Sequence, residues 1–148
     1  MNFRAARHED LPAIVEMLAE DNLGVQREDP SQMEPYQSAF AAIEKDPNNQ
    51  LLVGEEDQIL GVLQLTFVPG LTYQGSWRAQ IEGVRVHSCA RSRGIGRKLV
   101  RHAIELSVLR GCRMVQLTTD SNRPDALRFY ESLGFVASHQ GMKLRLAT

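Results

Sequence analysis

Hydrophobic positions fall along this chain in two alternating rhythms. Leu11, Ile14, Val15 and Leu18 keep the i, i+3, i+4, i+7 spacing of one helix face and predict a helix over 9–22. Asp10 is placed to cap it, and Pro12 is tolerated in its first turn. Tyr36, Phe40 and Ile43 share one side of a second predicted helix over 30–45, closed by Asp46-Pro47-Asn48-Asn49. Ile95, Leu99, Ala103 and Leu106, flanked by Val100 and Ile104, mark the longest helix, over 94–110, with Gly111 at its stop. A short helix over 124–133 ends at Gly134. Strands are predicted at 2–6, 51–54, 59–67, 78–87, 113–118, 135–137 and 142–146, with loops at 55–58 and 72–75. The order β-α-α-β-β-β-α-β-α-β-β implies an α/β (α+β) fold, a mixed sheet with helices on its faces.

The chain has 148 residues, 43% hydrophobic and 24% charged, with no repeat or linker, so a single domain over 1–148 is expected. No apolar run approaches the roughly 20 residues of a membrane span. The first residues contain no apolar signal core, which favours a cytoplasmic location and no membrane partner. Cys89 and Cys112 fit no zinc spacing, and His8, His87, His102 and His139 form no H-E-x-x-H pair, so no metal is predicted. A net charge of −1 gives no reason to expect nucleic acid as a partner.

Charge distribution changes that picture locally. Between Gly83 and Ile104 stand Arg85, Arg91, Arg93, Arg97, Lys98 and Arg101 with no acid, while the rest holds 11 basic and 18 acidic residues. One positive patch on an otherwise acidic chain suits one anionic ligand, although a charge run can equally be a solvated helix face. The patch includes Arg91-Ser92-Arg93-Gly94-Ile95-Gly96, a loop that follows a strand and opens a helix. Two glycines let a ligand approach the backbone, and a helix's first turn offers unpaired N–H groups to phosphate oxygens. The loop is not a Walker loop, because Gly96 is followed by Arg97, Lys98 and Leu99. Nor is it a dinucleotide fingerprint, whose third glycine position here is Leu99.

Val84-Arg85-Val86, then Arg91-x-x-Gly94-x-Gly96, then an amphipathic helix resembles the main motif of the GNAT family of acetyltransferases. A second motif of that family is matched by Asn122, Ala126, Phe129-Tyr130 and Leu133-Gly134-Phe135. The resemblance covers nearly the whole chain. It implies the GNAT fold, a mixed, mostly antiparallel sheet splayed between its fourth and fifth strands, with helices on both faces. It implies acetyl-CoA as co-substrate: pantetheine along Val84, Arg85 and Val86, and pyrophosphate on Arg91, Ser92, Arg93, Gly94, Ile95, Gly96, Arg97 and Lys98. Asn122 and Phe129 would complete that site, Asn122 also having a plain reading as a helix-entry cap. The chain from 122 to 146 is more weakly similar to aminoalkylphosphonate N-acetyltransferases.

In such a reading an amine attacks the thioester directly. At a lysine-like pKa of about 10.4, only roughly one amine in a few thousand is neutral at pH 7, so a general base is required. Glu82, two residues before Val84 on the fourth strand, is the candidate; a solvent-facing or arginine-paired strand glutamate is the plainer alternative. Which face it occupies depends on a bulge that the sequence does not fix. Tyr130 is where the family places its general acid, with a phenol pKa of about 10 against roughly 8.5 for a thiol; a core tyrosine is the alternative. The acceptor is expected to be a small-molecule primary amine, met by 21–45, 70–77 and 138–143, which hold Tyr36, Tyr73, Trp77 and His139. Glu28, Asp29 and Glu34 stand near those aromatics in sequence and would complement a cation. The other function classes are an enzyme acting on protein N-termini or lysines and a non-catalytic acyl-CoA-binding module. Homodimerisation is common in the family, and no residue here fixes an interface.

Overall fold

The computed structural model describes residues 1–147. The chain divides into two compact units, Met1–Gln116 and Leu117–Thr148. The larger is built on a five-stranded sheet in the order β1 (Asn2–Ala5), β2 (Asn49–Glu55), β3 (Ile59–Pro69), β4 (Trp77–Val86) and β5 (Met114–Gln116). The first four strands run antiparallel, and β5 lies parallel to β4.

Strand parity gives the sheet two different faces. On one, Val53 and Val62 pack with Ile14 and Met17 of α1 (Leu11–Ala19). On the other, Gly61 lies under Ile95 and Leu99 of α5 (Ile95–Leu109); a Cβ there would stand 3.3 Å from each side chain. Leu60, Ala90 and Ile95 continue that second core. Helices therefore cover both faces, and the mixed α/β class expected from the element order is the observed one.

Several local features differ from the sequence reading. The helix expected over 9–22 is interrupted. A 3-10 turn (His8–Asp10) leads into α1, which ends at Ala19, and a second helix, α2, spans Asn22–Arg27. Asp21 is extended at φ −85° and ψ 167°, and its carboxylate accepts the Gly24 N–H, so the chain stops one helix and caps the next. Gly24 is required there, because a Cβ would overlap the Leu18 carbonyl oxygen. Asp10 precedes α1 but does not cap it by side chain. Its carboxylate instead accepts two hydrogen bonds from Arg4, at 2.7 and 3.1 Å, and one from the Arg7 N–H. The helix expected over 30–45 begins later, as α3 (Glu34–Lys45).

The loop over 72–75 is a single turn, α4 (Thr72–Gly75), with Tyr73, Gln74 and Gly75 at positive φ. In the smaller unit the described residues form one helix, α6 (Pro124–Glu131), and no strand. The strands expected at 135–137 and 142–146 are absent from it. Val136, Met142, Leu144 and Leu146 are 79–94% exposed, and alternation alone makes no strand where no edge supplies the ladder.

Candidate active site

β4 is the element on which the candidate site turns. It pairs with β3 along its length, but its pairing with β5 covers only Arg78, Ala79 and Gln80. From Ile81 to Val86 the β5-facing edge of β4 has no strand partner among the described residues. The sheet therefore opens between its fourth and fifth strands, as expected, and leaves backbone groups available to an extended ligand. Within that stretch the ladder slips: Gln64 faces Glu82, whereas Val62 faces Arg85. Gly83 and Val84 together oppose Leu63, which is a bulge, and Gly83 takes φ 62° to make it. Leu18 of α1 lies 4.0 Å from where a Gly83 Cβ would stand.

The bulge settles the face of Glu82. Opposite Gln64, it shares the α1 side of the sheet with Asn49, Thr66 and Gln80. Glu82 is exposed and has no ion pair or hydrogen bond among the described residues. The arginine-paired alternative is thus not what this structure contains.

The loop over 91–96 is held by backbone conformation. Ser92 is at φ 65°, and Gly94, the N-cap of α5, is at φ 76° in the left-handed region. A non-glycine residue at Gly94 would be strained by that conformation even though a Cβ would meet nothing within 4 Å. No side chain caps α5 at Gly94, and its first backbone bond runs from the Lys98 N–H to the Gly94 carbonyl at 3.1 Å. The N–H groups of Ile95 and Gly96 thus remain unpaired among the described residues, and the helix dipole adds positive potential there. Ile95 itself is buried and anchors the turn in the core. This end of α5 fits a phosphate, with donors, positive charge and space in one place.

The arginines around it are not all idle. Arg85 meets Asp21 at 3.0 Å, too misaligned for a hydrogen bond. Arg91 lies 3.8 Å from Glu20, and Arg93 bonds both carboxylate oxygens of Glu56 at 3.0 and 3.2 Å. Glu20, Asp21 and Glu56 had carried no signal in the sequence reading, because a carboxylate distant in sequence shows no pairing until the fold brings it close.

The smaller unit carries the other motif residues. Phe129 and Tyr130 pack edge to face at 5.0 Å, and Tyr130 meets Phe135 likewise at 5.8 Å. Asn122 lies in the turn before α6, its N–H bonded to Asp120 at 2.8 Å. The N-cap of α6 is Arg123, so Asn122 is not the helix-entry cap.

Of the aromatic residues expected near the acceptor, Tyr36 donates to Glu28 at 3.0 Å and accepts the Asp29 N–H at 2.9 Å. Burial pushes its phenol above the usual range. The Arg113 guanidinium lies over the Tyr73 ring at 5.5 Å, so a cation already occupies that face. His139 is exposed beside the Ser138 hydroxyl, and no group of three metal-binding side chains occurs among the described residues. Burial raises the Cys112 thiol, which keeps it protonated and a poor nucleophile.

Comparison with known proteins decides the family. The family model described as acetyltransferase (GNAT) family matches residues 11–135. The chain belongs to the GNAT family of acetyltransferases. It is accordingly an acyltransferase, of a family that uses acetyl-CoA as co-substrate. A protein described as a transcriptional regulator from Bacillus halodurans C-125 has 55% identity and a TM-score of 0.94, covering 98% of this chain and 99% of that one. A candidate acetyltransferase from Agrobacterium tumefaciens str. C58 has 33% identity and a TM-score of 0.88, covering 99% and 100%. Glucosamine 6-phosphate N-acetyltransferase of Trypanosoma brucei brucei is 35% identical over 89 residues, 60% of this chain. This GNAT chain spans 58% of that relative's length.

Proposed function

We propose that the protein transfers an acetyl group from acetyl-CoA to the primary amine of a small molecule. The observation that carries this is the open edge of β4 beside the uncapped first turn of α5. The one offers backbone groups to a pantetheine arm and the other offers N–H donors and charge to a pyrophosphate. Val84, Arg85 and Val86 would hold the first; Arg91, Ser92, Arg93, Gly94, Ile95, Gly96, Arg97 and Lys98 would hold the second. Asn122 and Phe129 would complete the donor site, and the whole chain would act as one catalytic domain; the family match spans both units.

In this reading Glu82 takes a proton from the acceptor's ammonium, directly or through water. The neutral amine attacks the thioester carbonyl and a C–N bond forms. Backbone N–H groups near Val84 would stabilise the oxyanion. The C–S bond then breaks, Tyr130 gives its proton to the departing thiolate, and the new amide and Glu82 each lose a proton to solvent, from which the phenol is reprotonated. An unpaired carboxylate on β4 supports the first step, since a base already held by an arginine is a weaker one. A small acceptor is supported by the name of the Trypanosoma relative.

The name of the Bacillus relative raises a regulatory alternative. Against DNA as the partner stands a net charge of −1, which gives no long-range attraction to a polyanion. The test is release of CoA thiol from acetyl-CoA in the presence of an amine panel. Turnover with a small amine is expected; acetyl-CoA binding without thiol release from any amine or protein N-terminus would refute the proposal.

A further inference from the structure

The α1 side of the sheet is apolar where α1 covers it and polar beyond. Asn49 of β2 lies opposite Thr66 of β3, Thr66 opposite Gln80 of β4, and Gln80 opposite Gln116 of β5, with Gln64 opposite Glu82 beside them. These residues share one face by strand parity, so five neutral hydrogen-bonding side chains form one tract across four strands, with Glu82 at its edge. The tract spans about 14 Å across the strands and about 7 Å along them, the footprint of a small polyol.

The side chains are already positioned by one another. Asn49 Oδ1 accepts from Gln64 Nε2 at 3.1 Å and from Thr66 Oγ1 at 3.3 Å. Gln116 Nε2 donates to Gln80 Oε1 at 2.7 Å. This leaves the Asn49 Nδ2 and Gln80 Nε2 donors and the Gln64 Oε1 and Gln116 Oε1 acceptors unpartnered among the described residues. All but Gln116 are partly buried. Covering such groups with an apolar ligand leaves each without a partner, whereas hydroxyls both donate and accept. Arg78, next after Gln80 on the same face, bounds the far end, roughly 13 Å from Glu82 along β4. Its Nε is buried and unpartnered, so a second ammonium reaching that end would meet a like charge.

We infer that this tract is the acceptor subsite and that it selects a monoamine bearing several hydroxyls over alkylamines and over diamines. The inference rests on the acyltransfer reading above and adds the acceptor's class. Its amine would sit at Glu82 and its hydroxyls over Gln64, Gln80 and Asn49.

Three six-carbon probes isolate the point: 1-amino-1-deoxysorbitol, hexylamine and 1,6-diaminohexane. Thiol release is measured with each at matched concentrations of neutral amine, and binding of each is measured by calorimetry with CoA present. The aminopolyol is expected to have the highest kcat/KM. Gln64→Leu and Gln80→Leu are each expected to raise its KM about tenfold and to lower that for hexylamine, leaving the KM for acetyl-CoA unchanged. Gln80→Asn should recover part of the loss. Preference for hexylamine or the diamine by the unaltered protein overturns the inference, whether or not the variants fold, and leaves the acyltransfer reading standing. Aminopolyol binding that Gln64→Leu weakens, without thiol release from any amine, supports the subsite and refutes the acyltransfer reading. Neither binding nor turnover of the aminopolyol overturns the subsite.

Discussion

Replacing Arg4 with methionine tests whether one ionic cluster ties β1 and β2 to the start of α1. Arg4 is 13% exposed, Asp10 9%, and four hydrogen bonds of 2.7–3.1 Å join Arg4 to Asp10 and Glu55. Methionine keeps most of the stem's packing but strands the Asp10 carboxylate with the Arg7 N–H alone. Stranding a part-buried carboxylate in this way costs about 1–3 kcal/mol, which for a chain this long is a melting-temperature drop of roughly 5 °C. The pH dependence carries the sharper test. The Arg4 guanidinium holds Asp10, and likewise Glu55, below the usual carboxylate range. A depressed folded-state pKa contributes stability that is complete above the unfolded value of about 3.9 and lost as pH falls through the folded value. Urea unfolding followed by circular dichroism should therefore show a wide gap between parent and Arg4→Met at pH 7, narrowing below about pH 4. A gap as wide at pH 3 as at pH 7 would refute the ionic account and leave only packing of the arginine stem.

Four further outcomes follow from the site. Tyr130→Phe should lower kcat by about 10²-fold or more with little change in acetyl-CoA KM, as expected for a lost general acid; unchanged steady-state turnover would remove that role. Glu82→Gln should lose most activity at low pH, where the amine is hardest to deprotonate, so its pH–rate profile should rise more steeply than the parent's; parallel profiles would count against a base. Gly94→Ala should cost about 1–2 kcal/mol in the left-handed N-cap and raise acetyl-CoA KM by reshaping the loop, readable from melting and initial rates together. Arg93→Gln breaks a half-exposed pair with Glu56, so its melting temperature should hardly move, whereas acetyl-CoA KM should rise if the guanidinium also serves the pyrophosphate.

How much of this was legible in the sequence depended on whether the deciding interaction was local. The helix over 94–110 and the paired strands β2 and β3 follow from periodicity and punctuation within one window. The break between α1 and α2 has a local cause, the Asp21 cap, but no proline marks it. Gly24, which does, matters through contact with Leu18 rather than through a turn signal. The strands expected at 135–137 and 142–146 failed for the opposite reason. Val136, Met142, Leu144 and Leu146 sit in sequence surroundings that suit a strand, yet a strand exists only with a partner edge, which no window contains.

The same division runs through the candidate site. The elements proposed for the donor were readable because they are consecutive: a strand, a loop with positive-φ positions at Ser92 and Gly94, and a helix N-terminus. Gly83 was the sequence's one sign of a bulge, but the face it assigns to Glu82 emerged only from the ladder, in which Gln64 opposes Glu82 and Val62 opposes Arg85. A ladder in unbroken register would put Glu82 opposite Leu65 or move Arg85 from Val62 to Gly61; either way one of the two would point into the α5 side. The bulge lets both stay on the α1 side while turning the backbone at Val84. The polar tract was invisible for the same reason. Asn49, Gln64, Thr66, Gln80 and Gln116 come from four strands spread over 68 positions, and each alone is an ordinary strand residue. Selection of the acceptor is therefore a property of register, and a single-residue slip between β3 and β4 would abolish it while leaving every donor motif intact.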